Sequence, residues 1–311
     1  MGIGWYKFKS RYVKAYDEGW LPPVDGHAIH YYQIGNPKGE PVICFHGGPG
    51  GSAKPVRACT FNLKKQHVIM FDQRGCGLTQ SKNPCYKNTI QETVKDAAHL
   101  LKHLNITEKV VASGCSFGST LAVLFAETYP QKVKRLCVDC IFLGRPEDIK
   151  NMTPATALFY PDALDIVQKV AKGKDLNTYY NKLLWSDKRA DNEKAVRYYG
   201  QLERIGGSGG YWVDFPKSEI TDKEIQKFRI FMHYQTHKMF LKPNQLLKDA
   251  RKIAKIPTEI FQNRLDFCCP PYQAWELHKA LPNSKLTIVP SKGHGSDEMR
   301  YQIYLGNKKR V

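Results

Sequence analysis

Ser116 stands between two glycines in Gly114-Cys115-Ser116-Phe117-Gly118, after the β-branched run "VVAS" and before the helical run "STLAVLFAET". A serine in G-x-S-x-G between strand and helix sits on a sharp turn that lifts its hydroxyl clear of a sheet, with glycines where any side chain would clash. The helix that follows points its N-terminus at the hydroxyl and favours negative charge developing there. A serine hydroxyl is a weak nucleophile and needs a base oriented by a carboxylate. For a serine on such a turn the partners follow in the chain as acid, then histidine. Asp266 follows the strand-like "TEIFQNRL" and His294 follows "KLTIVP", both at the strand ends where open α/β sheets place their sites. Asp297 is a rival acid, set aside because it comes after His294. Ser116, Asp266 and His294 are therefore the candidate catalytic set, and acyl transfer is their chemistry.

Such a reaction also needs donors for the tetrahedral oxyanion. His46-Gly47-Gly48-Pro49-Gly50 follows the apolar run "VICF", and its glycines let backbone approach a substrate closely. The amides of Gly48 and Phe117 are the natural donor pair, with His46 holding the loop. Metal chemistry has weaker support. Cys137-x-x-Cys140 is half a zinc pattern without a second half, adjacent Cys268 and Cys269 suit one shared metal poorly, and His233 and His237 lack a carboxylate to complete a set. No metal or cofactor is expected.

These residues need elements to position them. "HAIHYYQIG", "PVICFH", "QHVIMFD", "KVVAS" and "KRLCVDCIF" read as strands. "TIQETVKDAAHLLKHLNI" reads as a helix with Ile90, Val94, Ala97, Leu101 and Leu104 on one face, and Pro130 stops the helix after Ser116. Alternation of this kind predicts a mostly parallel sheet with helices on both faces. Past Phe142 the chain turns rich in Tyr, Lys and helical patterns, and "IGGSGG" (205–210) reads as a loop or hinge within that part. The α/β texture then returns with "PTEIFQNRLD", "PYQAWELHKAL" and "SKLTIVP". The predicted organisation is core 1–142, helical cap 143–252 and core 253–311.

With 311 residues, 42% of them hydrophobic and 24% charged, the chain has the composition of a soluble globular protein with a large core. No apolar run reaches the roughly 18 residues of a membrane span, and "MGIGWYKFKSRYVK" has no apolar stretch of the kind a signal peptide carries. Nine scattered cysteines suit reduced thiols in the cytoplasm. The net charge of +18 is spread along the chain, compact only in "GNKKRV", and without a nucleic-acid motif it reads as a solvated basic surface. Neither nucleic acid nor membrane is an expected partner, and the number of subunits stays open.

"HGGPGG", "FDQRGCG" (Phe71 to Gly77) and "GCSFGSTLAV" together resemble the prolyl aminopeptidases, or proline iminopeptidases, which are α/β-hydrolase serine peptidases that release an N-terminal proline. The likeness runs through nearly the whole chain, strongest over 24–145 and 257–298. It implies the α/β-hydrolase fold with an inserted helical cap and Ser116, Asp266 and His294 as the triad. Asp72 and Arg74 become scaffold beside the site, and Phe142, in "CIFLGRPED", lines a proline pocket. The family holds the substrate ammonium with two glutamates of the cap. "YYGQLE" resembles the first pattern and supplies Glu203; in "RIFMHYQTH", Phe231 stands where the second glutamate is expected. The resemblance thus implies a short peptide with N-terminal proline as substrate. A small ester or amide substrate is the alternative that Phe231 suits, and a non-catalytic binding protein is the alternative of another class.

Overall fold

The uninterrupted apolar runs "VICF", "VIMF" and "VVA" form strands buried on both faces, as parallel strands covered by helices must be. The computed structural model describes residues 13–149, 158–208 and 220–309. In chain order the strands are β1 (Asp17–Trp20), β2 (His27–Ala28), β3 (His30–Gly35), β4 (Glu40–Phe45), β5 (Gln66–Phe71), β6 (Gln80–Ser81), β7 (Val110–Cys115), β8 (Val133–Asp139), β9 (Thr258–Leu265) and β10 (Ser284–Lys292). Eight of them form one sheet in the order β1-β3-β5-β4-β7-β8-β9-β10, and β2 pairs with β6 separately. β1, β3 and β5 run antiparallel to one another in sequence, and every pairing from β5 through β4 to β10 is parallel.

This order makes β4 the turning point. The chain leaves β4 for β5 on one side and later returns to β7 on the other, so the loops after β4 and β7 diverge around one crevice. Open α/β sheets bind ligands at such a switch point, and the loops here are His46-Gly47-Gly48 and the Ser116 turn. Helix α1 (Ile90–His103) starts where the Thr89 side chain accepts the Glu92 amide at 3.2 Å, and buries Ile90, Val94, Ala97 and Leu101 as its periodicity predicts. Helix α2 (Phe117–Thr128) is buried over almost its whole length against β4, β7 and β8.

Between the last two parallel strands of the first core segment and those of the second lie helices Pro161–Val170, Leu176–Leu184, Arg189–Ala195, Gln201–Ser208 and Asp222–Thr236. They enclose an apolar cluster of their own, from Ala163 to Met232, apart from the clusters on the two faces of the sheet. Asp222–Thr236 joins cap to core. Ile225, Phe228, Phe231 and Met232 face the cap cluster, whereas Ile230 and Tyr234 face the sheet's cluster, which Met239, Leu246, Ala250 and Ile253 also enter. The expected break at 205–210 does not begin at Ile205. Helix continues through Ser208 because Leu202 and Ile205 are buried in the cap cluster, which outweighs the roughly 1 kcal/mol that each helical glycine costs. Residues 209 and 210 of that stretch, and the first twelve residues, lie outside the described ones. No helix among the described residues is long and apolar enough to cross a membrane.

One buried group makes the fold sensitive to pH. Both carboxyl oxygens of Glu127, in α2, are buried without a hydrogen-bond partner among the described residues. Burial, helped by Asp249, pushes its pKa up to about 9. The folded protein therefore keeps Glu127 neutral where the unfolded chain would ionise it, so stability is lost as pH rises from the ordinary glutamate range towards 9. Glu127→Gln is expected to stabilise the protein near pH 8 by on the order of 1–3 kcal/mol, with the gain fading towards pH 5. Urea unfolding at both pH values checks this; an equal effect at the two would show that Glu127 does not titrate between them.

Candidate active site

The backbone at Ser116 has φ 59° and ψ −130°, a conformation that L-residues rarely adopt, at the junction of β7 and α2. Its surroundings over-determine it. The Ser116 amide donates to the Asp139 carbonyl at 3.0 Å, and its carbonyl accepts from the Ser119 amide at 2.7 Å and from Ser119 Oγ at 2.6 Å. A Cβ at Gly114 would run into the Gly118 carbonyl, and one at Gly118 into the Phe45 carbonyl, which is why both neighbours are glycine. Asp139, fully buried, is itself tied down by an ion pair with the partly buried Arg57, one contact being 3.2 Å.

The loop after β4 passes directly over the nucleophile candidate. A Cβ built on Gly47 would lie 3.3 Å from Ser116 Cβ and 3.9 Å from Ser116 Oγ. Gly48 has φ 138°, and any side chain there would meet the amides of Gly50 and Gly51 at 2.8 and 2.6 Å. His46 anchors the loop: its Nε2 accepts the Gln73 amide at 3.1 Å, so Nδ1 carries the proton and donates to the Gly47 carbonyl at 2.7 Å. Gln73 Nε2 in turn donates to the His46 carbonyl at 2.8 Å. Asp72 ties the same two loops together, accepting the Ala53 amide at 2.7 Å and the Leu78 amide at 3.0 Å. Buried Arg74 forks onto Asp96 at 2.7 and 2.9 Å. These contacts give the "FDQRGCG" residues a scaffold position beside the crevice.

Asp266 and His294 meet, though 28 positions separate them. His294 Nδ1 donates to Asp266 Oδ2 at 2.9 Å, with Oδ1 at 3.2 Å. Asp266 is buried and also accepts the amides of Cys268 (3.0 Å) and Cys269 (2.9 Å) and Gln262 Nε2 (3.2 Å). The ring and the Ser116 turn adjoin: Cys115 Sγ lies within 4.8 Å of a His294 ring nitrogen. Burial disfavours the His294 imidazolium, but the negative charges of Cys268 and Asp266 outweigh it and hold the pKa well above the ordinary histidine value. The Cys268 thiol is drawn down to about 7 by a hydrogen bond from Cys269 and, against the cost of burial, by His294. Asp297 is mostly exposed and paired with Arg300 at 2.7 Å, away from this arrangement.

Glu203, on Gln201–Ser208, is partly buried next to Cys268; burial and that thiol push its carboxyl up to about 8. The cap thus brings Glu203 to the Asp266–His294 side of the crevice. Phe142 follows β8 and is buried, with its amide accepted by Ser119 Oγ at 3.1 Å and its carbonyl taking the Thr120 hydroxyl at 2.5 Å, which ties it to the turn of helix behind Ser116. Phe231 lies elsewhere. It is buried in the cap's own cluster, with ring centroids 6.5 Å from Tyr199 and 6.3 Å from Phe228. His233 and His237 are structural, His233 Nε2 bonding the Asn88 carbonyl at 2.9 Å. Sequence reading passed over Gln262. Fully buried, it donates to Asp266 and to the Cys269 carbonyl while its Oε1 accepts the Ile141 amide at 3.0 Å. A polar residue inside the buried strand "TEIFQNRL" was the signal.

A mostly parallel sheet with a serine turn at its switch point and an Asp–His pair at the ends of the last strands defines an α/β hydrolase. Residues 40–296 match the family model described as alpha/beta hydrolase fold. Solved structures agree on the fold alone: the chain superposes on VinJ with TM-score 0.69 at 17% identity over 96% of this chain and 100% of that one. The metagenomic hydrolase MGS-M2 gives 0.59 at 19% over 94% and 98%. Sequence relatives are more specific. The chain is 35% identical to the proline iminopeptidase of Xylella fastidiosa over 92% of its own length and 93% of the relative's. It is 34% identical to that of Arabidopsis thaliana over 96% and 80%. The chain belongs to the proline iminopeptidase family of α/β hydrolases.

Proposed function

We propose that the protein is a serine hydrolase that releases N-terminal proline from short peptides. The Asp266–His294 hydrogen bond beside the strained Ser116 turn carries the hydrolytic reading. Ser116 Oγ attacks the carbonyl of the first residue while His294 takes its proton. The oxyanion accepts hydrogen bonds from the amides of Gly48 and Phe117. His294 then protonates the leaving amine, the C–N bond breaks, and water deacylates the ester by the reverse roles. Asp266 orients the ring throughout. Phe142 lines the acyl side, and Glu203 receives the substrate ammonium. With nine free thiols, we place the enzyme in the cytoplasm, working without metal or cofactor.

Glu203 supplies a test through pH. Because its carboxyl is raised to about 8, the free enzyme at lower pH holds a neutral acid there, and an ammonium binds best to the ionised form. The ratio of kcat/KM for proline arylamide to that for a neutral aryl ester is expected to climb as pH is raised from about 6 to 8, since His294 titration affects both substrates alike. Glu203→Gln should flatten that ratio and raise KM for the arylamide by about tenfold or more, the worth of one charged hydrogen bond. A ratio already flat in the parent enzyme would remove Glu203 from amine recognition.

A second reading, a small-ester or amide hydrolase without proline preference, is favoured by Phe231, which leaves the second carboxylate position of the family apolar and turned into the cap. Proline, alanine and leucine arylamides and a short aryl ester, assayed side by side, separate the two. Preference for the proline arylamide supports the peptidase; turnover of the ester alone supports the second reading. No turnover and no labelling by a serine-directed phosphonate would mean a binding protein.

A further inference from the structure

Two thiols that are neighbours in the chain converge on the base. Consecutive side chains of an extended strand point apart, which is why Cys268 and Cys269 look unsuited to sharing a ligand. After β9, however, the backbone bends, and both amides turn onto the same Asp266 oxygen. The Sγ atoms of Cys268 and Cys269 and a ring nitrogen of His294 consequently all lie within 4.8 Å of one another. In a tetrahedral zinc site, ligand atoms of these types stand roughly 3.5–3.8 Å apart, so the three need to close by at most about 1.3 Å.

We propose that Cys268, Cys269 and His294 form an inhibitory binding site for a soft divalent cation of the zinc class. Two thiolates and an imidazole are a donor set that this class of cation prefers over harder ions. Binding displaces the Cys269 S–H proton and the proton that Cys268 and the His294 ring hold between them, forms two metal–sulfur bonds and one metal–nitrogen bond, and releases both protons to solvent; no oxidant or reductant takes part. Cys268 and His294 are both partly exposed, so an ion can arrive from the crevice, and Glu203, beside Cys268 on the cap, or a water molecule can complete four-fold coordination. A second set, Cys115, Cys140 and His294, meets the same distance limit with the same burial pattern, and the Cys115→Ser variant below separates it from the first. On the mechanism proposed above, on which the inhibitory role rests, both ring nitrogens of His294 are needed for turnover, one for Asp266 and the other for the serine proton. A bound ion therefore switches the enzyme off whichever it takes, and removal of the ion by a chelator restores it.

Cobalt(II) chloride is the probe, added to full-length protein carrying Ser116→Ala so that turnover plays no part. One equivalent is expected to produce sulfur-to-cobalt charge-transfer absorption in the near ultraviolet, displaced by zinc. The band should vanish with Cys268→Ser and with Cys269→Ala, and persist with Cys115→Ser. In enzyme with Ser116 intact, zinc should inhibit reversibly, with the inhibition constant raised about tenfold or more by Cys268→Ser, the loss of one of three ligands. Cys269 is buried, so Cys268→Ser, at a partly exposed position, decides if the other variant melts early. Absence of the band, its survival in Cys268→Ser, or its loss in Cys115→Ser overturns the assignment.

Discussion

Replacing Ser116 by alanine is expected to lower kcat for any acyl substrate by about 10⁴- to 10⁶-fold, the range seen when a triad serine is removed. The fold should not suffer. The structural duties of residue 116 are carried by its backbone, through the Asp139 carbonyl and the Ser119 amide and hydroxyl. Alanine has the same Cβ as serine in the same unusual conformation, so no new strain arises at φ 59°. The melting temperature should therefore stay within about 2 °C of the parent. KM should change little, because the proposed oxyanion donors, Gly48 and Phe117, and the proposed amine anchor, Glu203, remain. Single-turnover assays and covalent labelling with a phosphonate read the effect directly. Turnover within tenfold of the parent would move the nucleophile away from Ser116.

Much of this arrangement was legible in the sequence because parallel strands and sharp turns leave strong marks. "VICF", "VIMF" and "VVA" are fully apolar since both of their faces are covered, and the glycines around Ser116 are forced by contacts with carbonyl groups. What escaped notice has a physical reason in each case. β1, "DEGW", is a largely exposed edge strand paired on one side only, so it carries no apolar alternation. The last helix, Asp297–Lys309, buries Met299, Ile303 and Asn307, a narrow stripe spaced by four in which the third member is polar, so its apolar signal is weak. The position of Phe231 depends on rotation about a helix that serves two clusters. One residue earlier, Ile230 faces the sheet, whereas Phe231 faces the cap, and a motif match fixes the position along the helix without fixing that angle. The meeting of Cys268 and Cys269 depends on a bend that Asp266 induces by accepting both amides, a contact that the residue types alone do not announce.

The same carboxylate makes the second decisive experiment. Asp266→Asn should lower kcat by roughly 10⁴-fold, as loss of the orienting carboxylate does in serine hydrolases, because an amide can hold the imidazole in the wrong tautomer. A misfolded variant would also lose activity, so a second readout is needed, and the electrostatics of the site provide one. The Asp266 charge helps to hold the His294 pKa well above the ordinary histidine value. Removing that charge should move the acid limb of the residual kcat/KM profile to lower pH, a shift that local unfolding does not produce. Asp297→Asn is the control: its carboxylate is mostly exposed and occupied by Arg300, so neither rate nor profile should move. Should Asp297→Asn instead carry the large loss, the acid would lie in the helix after His294, and the bond at the end of β9 would be a structural one. Should Asp266→Asn slow the enzyme without moving its acid limb, the carboxylate would position the loop of Cys268 and Cys269 rather than charge the base.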